Sequence, residues 1–148
     1  MNSENLKFDI TLSGSYWDKK PQYSVWLDDH VIVQSEVSRE SHQFSFEREI
    51  TEGAHTLKIR LENKDQHTDT VVEDGEIVKD MLLNVDDISI DDISLGHLLW
   101  TAEYHLDVPQ QYQGTTVTEI PHCVNLGFNG TYILKFTSPF YIWLLEKL

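Results

Sequence analysis

Apolar residues recur at every second position along much of this chain. Leu6, Phe8, Ile10 and Leu12 fall on one side of an extended segment, with Lys7, Asp9 and Thr11 on the other. Side chains on a strand point alternately to its two faces, so this spacing predicts a strand with one buried face. Ser13-Gly14-Ser15 interrupts the pattern. Tyr23, Val25 and Leu27 resume it, and turn-forming Asp28-Asp29 separates them from Val31 and Val33, which predicts a hairpin. Phe44 and Phe46 mark another short strand, and beyond Glu52-Gly53 the residues Leu57, Ile59 and Leu61 alternate with Lys58, Arg60 and Glu62.

The second half is less regular. Residues 63–76 are polar and rich in carboxylates, with Gly75 as a turn residue, and read as a long loop. From Met81 the chain is apolar again, but Val85 is out of phase with Ile88 and Ile90, which predicts a β-bulge at Asp86-Asp87. After Gly96 the segment carrying Trp100, Tyr104, Pro109, Tyr112 and Gly114 reads as irregular and loop-like. Alternation returns after Asn129-Gly130, a turn signal, with Tyr132, Leu134 and Phe136. In the last segment Phe140, Ile142 and Leu144 alternate with Tyr141, Trp143 and Leu145, so both faces are apolar. Such a strand is either central in a sandwich or pressed against another subunit, which makes Phe140, Tyr141, Trp143 and Leu145 candidate interface residues. The prediction is an all-β, antiparallel, jelly-roll-like sandwich over residues 1–96. A C-terminal loop and aromatic β extension over 97–148 packs on it or on a partner subunit.

Composition narrows the function. A chain of 148 residues with 40% hydrophobic positions is long enough to bury one core. Its formal charge of −14 repels phosphate backbones and anionic membranes, which argues against nucleic-acid binding. No apolar run approaches the roughly 20 residues of a membrane span. Cys123 is the only cysteine, which leaves no internal disulfide; in its apolar stretch it reads as a small buried hydrophobe without a chemical role. Residues 1–5 lack the basic and apolar regions of a secretory signal, so folding in a reducing cytoplasm is expected.

No catalytic constellation stands out. The seven histidines are scattered and form no His-Glu-x-x-His, and neither a Gly-rich phosphate loop nor a Gly-x-Ser-x-Gly elbow is present. The doublets Asp28-Asp29, Asp86-Asp87 and Asp91-Asp92 point to opposite faces within a strand and read as solvated turn or rim residues. The one cluster with ligand chemistry is the acidic loop and its flanks: Asn63, Asp65, Asp69, Glu73, Asp74 and Asp80. Calcium takes six to eight oxygen ligands, and a loop between strands can supply them, although the spacing is not that of an EF-hand.

Two resemblances follow from the middle of the chain. Gly53-Ala54-His55-Thr56-Leu57-Lys58-Ile59 is similar to the Gly-x-His strand of calcium-dependent, xylan-binding carbohydrate-binding modules, which are β-sandwiches. Leu61-Glu62-Asn63-Lys64-Asp65 resembles their Phe-x-Asn-Asp strand end, and Asp80 to Ile90 their final Val-Asp-x-Ile-x-Val strand. This resemblance implies calcium as cofactor, with Asn63, Asp65 and Asp80 as ligands. Where those modules have Asp-Arg-Asn, this chain has Lys79-Asp80-Met81. Val72 to Asp80, Ile90 to Gly96, Leu126 to Gly130 and Phe136-Thr137-Ser138-Pro139 look like short virion-associated proteins of large tailed bacteriophages. That second resemblance implies a non-catalytic structural, decoration or tail protein, made in the host cytoplasm and carried in the virion. Its partners would be other virion proteins or further copies of itself. The alternative is a carbohydrate-binding module in which Trp17, Trp26 or Trp100 stacks on a glycan while calcium organises the acidic loop.

Overall fold

The computed structural model describes residues 2–147. In chain order the strands are β1 (Ser3–Ser15), β2 (Gln22–Leu27), β3 (His30–Glu36), β4 (His42–Thr51), β5 (Gly53–Leu61), β6 (Val71–Glu73), β7 (Glu76–Lys79), β8 (Leu82–Ile90), β9 (Ile93–Ser94), β10 (Glu103–Tyr112), β11 (Thr115–Pro121), β12 (Asn125–Leu126) and β13 (Gly130–Ser138), followed by helix α1 (Phe140–Lys147). One sheet runs β12-β8-β1-β4, with β9 on β8; the other runs β11-β10-β13-β5-β2-β3. All pairings are antiparallel, and the two sheets form the predicted β-sandwich.

The core is the sum of the alternating positions. Leu6, Phe8, Ile10 and Leu12 of β1 are fully buried, as are Leu57, Ile59 and Leu61 of β5 and Tyr132 and Leu134 of β13. The bulge lies where the phase slip predicts it: Thr11 pairs with Asp87 but Leu12 with Val85, leaving Asp86 as the extra residue. That one residue lets Leu83, Val85, Ile88 and Ile90 all face inward from a single strand. Asp28-Asp29 and Asp91-Asp92 sit in turns, with Asp28, Asp91 and Asp92 at positive φ, a conformation that aspartate tolerates better than most residues.

Four expectations need correction. The 63–76 loop ends in a small hairpin, β6–β7, whose Asp74-Gly75 turn has φ of 53° and 80°. The stretch after Gly96 is a 3₁₀ turn (Gly96–Thr101) followed by the hairpin β10–β11. Its pattern is blurred because five steps along β10, from His105 to Gln110, match only two along β11, and Pro109 falls inside that irregularity. The C-terminal β extension is α1: Phe140, Trp143 and partly buried Leu144 face the core, a helical spacing hidden in a segment apolar throughout. Residues 97–148 also supply β10, β11 and β13 to the six-stranded sheet. β13 pairs with β5 over its whole length, so the expected division at residue 96 falls inside one sandwich. Gly130 opens β13 because a Cβ there would lie 2.3 Å from the His105 carbonyl oxygen.

Candidate functional site

Lys64 follows β5 and turns inward. Asn129 braces its backbone from both sides: Asn129 Oδ1 accepts the Lys64 N–H and Nδ2 donates to the Lys64 carbonyl, each at 2.8 Å. The side chain is 2% exposed, and its ammonium lies 2.5 Å from Asp80 Oδ1 and 2.6 Å from the Gly127 carbonyl. The Phe128 ring centroid is 5.8 Å from the same nitrogen. Asp80 Oδ1 also accepts from Thr70 Oγ1 at 2.7 Å and from the Met81 N–H at 2.8 Å. Tyr104 closes the floor from below, its hydroxyl donating to the Phe128 carbonyl and accepting the Phe128 N–H; burial pushes its phenol far above the ordinary value.

Above this floor opens a cleft of about 430 Å³. Ile77 of β7 forms one wall, and Gln111 and Tyr112 of β10 form the other, so the two hairpins missed in the sequence are its sides. Both hairpins turn through two residues of positive φ, Asp74-Gly75 and Gln113-Gly114, the geometry that suits the twist of paired strands. Tyr112 is 38% exposed and offers an aromatic face; Gln66, Gln111 and Asn125 offer amides.

Each side chain of the predicted ligand set has a partner within the protein. Asn63 Oδ1 accepts the Gln22 N–H at 2.8 Å and its amide donates to the Lys20 carbonyl at 3.0 Å, which ties the end of β5 to β2. Asp65 is exposed, and its Oδ1 accepts the His67 N–H at 2.9 Å. Asp80 holds Lys64. Asp69, buried, accepts the Asp65 N–H at 2.7 Å and pairs with Lys19 at 3.0 Å, while Glu73 and Asp74 are exposed on the β6–β7 hairpin.

Among the described residues, one trio of His, Cys, Asp or Glu has its ligand atoms within 4.8 Å of one another: Glu103, His105 and Glu119, outside the cleft. Glu103 is also held by Lys135 at 2.6 Å, and that bond, followed by the one from His105, keeps its carboxyl below the usual range. The three tryptophans named as sugar platforms lie outside the cleft as well. Trp17 donates to the Asp69 carbonyl and carries the Lys79 ammonium 4.8 Å from its ring. Trp26 lines a groove of about 540 Å³ with Lys58 and Arg60 on the outer face of the six-stranded sheet, and Trp100 is exposed. Cys123 is half-buried at the cleft edge, its thiol pushed up by burial. Of the interface residues, Phe140 and Trp143 are core, whereas Tyr141 and Leu145 are exposed beside Ile142.

The β-sandwich is one shared with a carbohydrate-binding module of known structure. The chain is similar to a module called vCBM60 in complex with galactobiose, at 8% identity and a TM-score of 0.57, over 86% of this chain and 96% of that one. It is likewise similar to the selenomethionine form of vCBM60, described in connection with a circular permutation linking two families of calcium-dependent carbohydrate-binding modules, at 9% identity and a TM-score of 0.57, over 87% of this chain and 89% of that one. No protein-family model matches, and no curated protein matches by sequence. The first resemblance seen in the sequence therefore has a structural counterpart; these matches do not bear on the virion resemblance.

Proposed function

We propose that this chain is a non-catalytic glycan-binding module whose binding site is the cleft above Lys64. The observation that carries the reading is the cleft itself: the exposed ring of Tyr112 lines it together with the amides of Gln66, Gln111 and Asn125. A sugar ring presents an apolar face and a rim of hydroxyls, which such a site matches. The fold shared with vCBM60 supports it. The charge of −14 favours neutral over acidic glycans. Affinity electrophoresis through neutral galactans, xylans and glucans, in calcium and in chelator, tests it. Retardation on one of them is expected, and Tyr112→Ala should weaken it at least about tenfold, the loss of one stacked ring, with little change in Tm. No retardation on any of these polysaccharides overturns the reading.

A second reading has one observation in its favour. Tyr141, Ile142 and Leu145 form an exposed apolar face on α1, as a virion assembly protein docking to a further copy or to another virion protein would use. Truncating the helix would remove core residues Phe140 and Trp143, so the test is Tyr141→Ser with Leu145→Ser. Light scattering should show an oligomer converted to monomer; an unchanged mass removes self-assembly.

A further inference from the structure

We propose that the Lys64 ammonium is the resident cation of the acidic loop, so that the cleft is organised without calcium. Calcium is the ion that the matched fold brings to mind, and the residues here do not suit it. The loop oxygen at the cleft floor, Asp80 Oδ1, already has three donors: Lys64 Nζ at 2.5 Å, the Thr70 hydroxyl and the Met81 N–H. A calcium ion must approach a carboxylate to about 2.3–2.6 Å, and at Asp80 it would stand beside a fixed, buried positive charge. The Gly127 carbonyl, the other oxygen at that point, also accepts from Lys64, at 2.6 Å, and from Gln66 at 3.2 Å.

The rest of the loop is compensated in the same way. Buried Asp69 has Lys19 at 3.0 Å. Asn63 spends both ends of its amide on the Lys20 and Gln22 backbone. What is left, Asp65, Glu73, Asp74 and Glu76, is solvent-exposed and spread over a loop and a hairpin. The sequence carries the same message. Lys64 stands among the loop's carboxylates, between Asn63 and Asp65. A lysine at that position supplies the positive charge from within the chain, and Asn129 fixes its backbone so that the ammonium reaches both Asp80 and Gly127.

The test needs no glycan, so its failure is separate from that of the function proposed above. Thermal unfolding of the chelator-stripped full chain is followed in excess chelator and in excess calcium chloride, for the wild type and for Asp80→Asn. The wild type should melt at the same temperature in both. A calcium-induced rise that persists in Asp80→Asn places the ion elsewhere and leaves the proposal standing, whereas a rise that Asp80→Asn abolishes overturns it. Lys64→Met, which keeps the apolar stem, should lower Tm by roughly 10 °C in either solution, and adding Asp80→Asn should recover part of that loss. A Lys64→Met protein as stable as the wild type also overturns the proposal. If Lys64→Met does not fold, the wild-type and Asp80→Asn pair decides alone.

Discussion

Two carboxylates in this protein are clasped by lysine at nearly the same distance. Asp80 Oδ1 is 2.5 Å from Lys64 Nζ, and Glu103 Oε2 is 2.6 Å from Lys135 Nζ. The Lys64 side chain is 2% exposed and that of Lys135 is 65% exposed. Water can replace either partner of the surface pair at once, whereas at the cleft floor the ammonium is enclosed and only the Asp80 carboxylate, 25% exposed, reaches water. Distance alone therefore says little about what an ion pair does. The groups around it decide, and at Lys64 these include a carbonyl, an aromatic ring and an asparagine that holds the backbone.

The sharpest way to break this comparison is at Lys64. Lys64→Met should cost about 3 kcal/mol, the low end of what stranding one partner of a buried pair costs because the Asp80 side chain is itself 25% exposed, measured by urea unfolding at neutral pH. A loss below about 1 kcal/mol would make the cleft floor energetically a surface pair.

That such a residue went unnoticed in the sequence has a physical cause. Period-two alternation reports burial along one strand, so it reads β1, the β2–β3 hairpin, β5 and β13 correctly, and even the extra residue at Asp86. It carries no information about groups that meet from distant parts of the chain. Lys64 reads as an exposed residue in an acidic loop until Asp80, Gly127 and Asn129 close around it. α1 is a second case. Its segment is apolar on every side, so a strand and a helix fit equally well, and its N-terminal signal comes from the other end of the chain: the Glu4 carboxylate accepts the Phe140 N–H at 2.8 Å and the Ser138 hydroxyl. Tyr112 was hidden by Pro109 and the irregular register of β10. The Asn129-Gly130 signal was visible, but the role of Asn129 as the brace of Lys64 was not.

His55 lies between the two extremes and sharpens the comparison through pH. Its Nδ1 is 2.7 Å from Asp28 Oδ2 and its Nε2 is 2.6 Å from the Thr51 carbonyl. Both partners are acceptors, so both nitrogens donate only when the ring is an imidazolium. Burial works against that charge, but the bonds to Asp28 and Thr51 outweigh it and hold the group above its ordinary 6.5. A raised folded value stabilises the protein fully below the unfolded value and loses that contribution as pH rises through the folded one. The difference in urea midpoint between wild type and His55→Asn should therefore be widest at mildly acid pH and close on the alkaline side. A gap that widens with pH would mean that the ring is held neutral.

The smallest effect belongs to Lys135→Ala, and its smallness is the point. Glu103 loses its closest partner but keeps His105 Nε2 at 2.9 Å, and both residues face solvent. The carboxyl should titrate closer to its ordinary 4.5, because the Lys135 hydrogen bond is the largest influence drawing it down, and the urea midpoint at neutral pH should fall only by the small amount that this shift dictates. Carboxyl titration by NMR with parallel unfolding curves reads the same effect twice: a small upward shift and an equally small loss of stability above the carboxylate range are the mark of a pair already exposed to water. Should Lys135→Ala destabilise the protein as much as Lys64→Met, a short N–O distance would itself stabilise the fold, and the enclosure of Lys64 would no longer set the cleft floor apart.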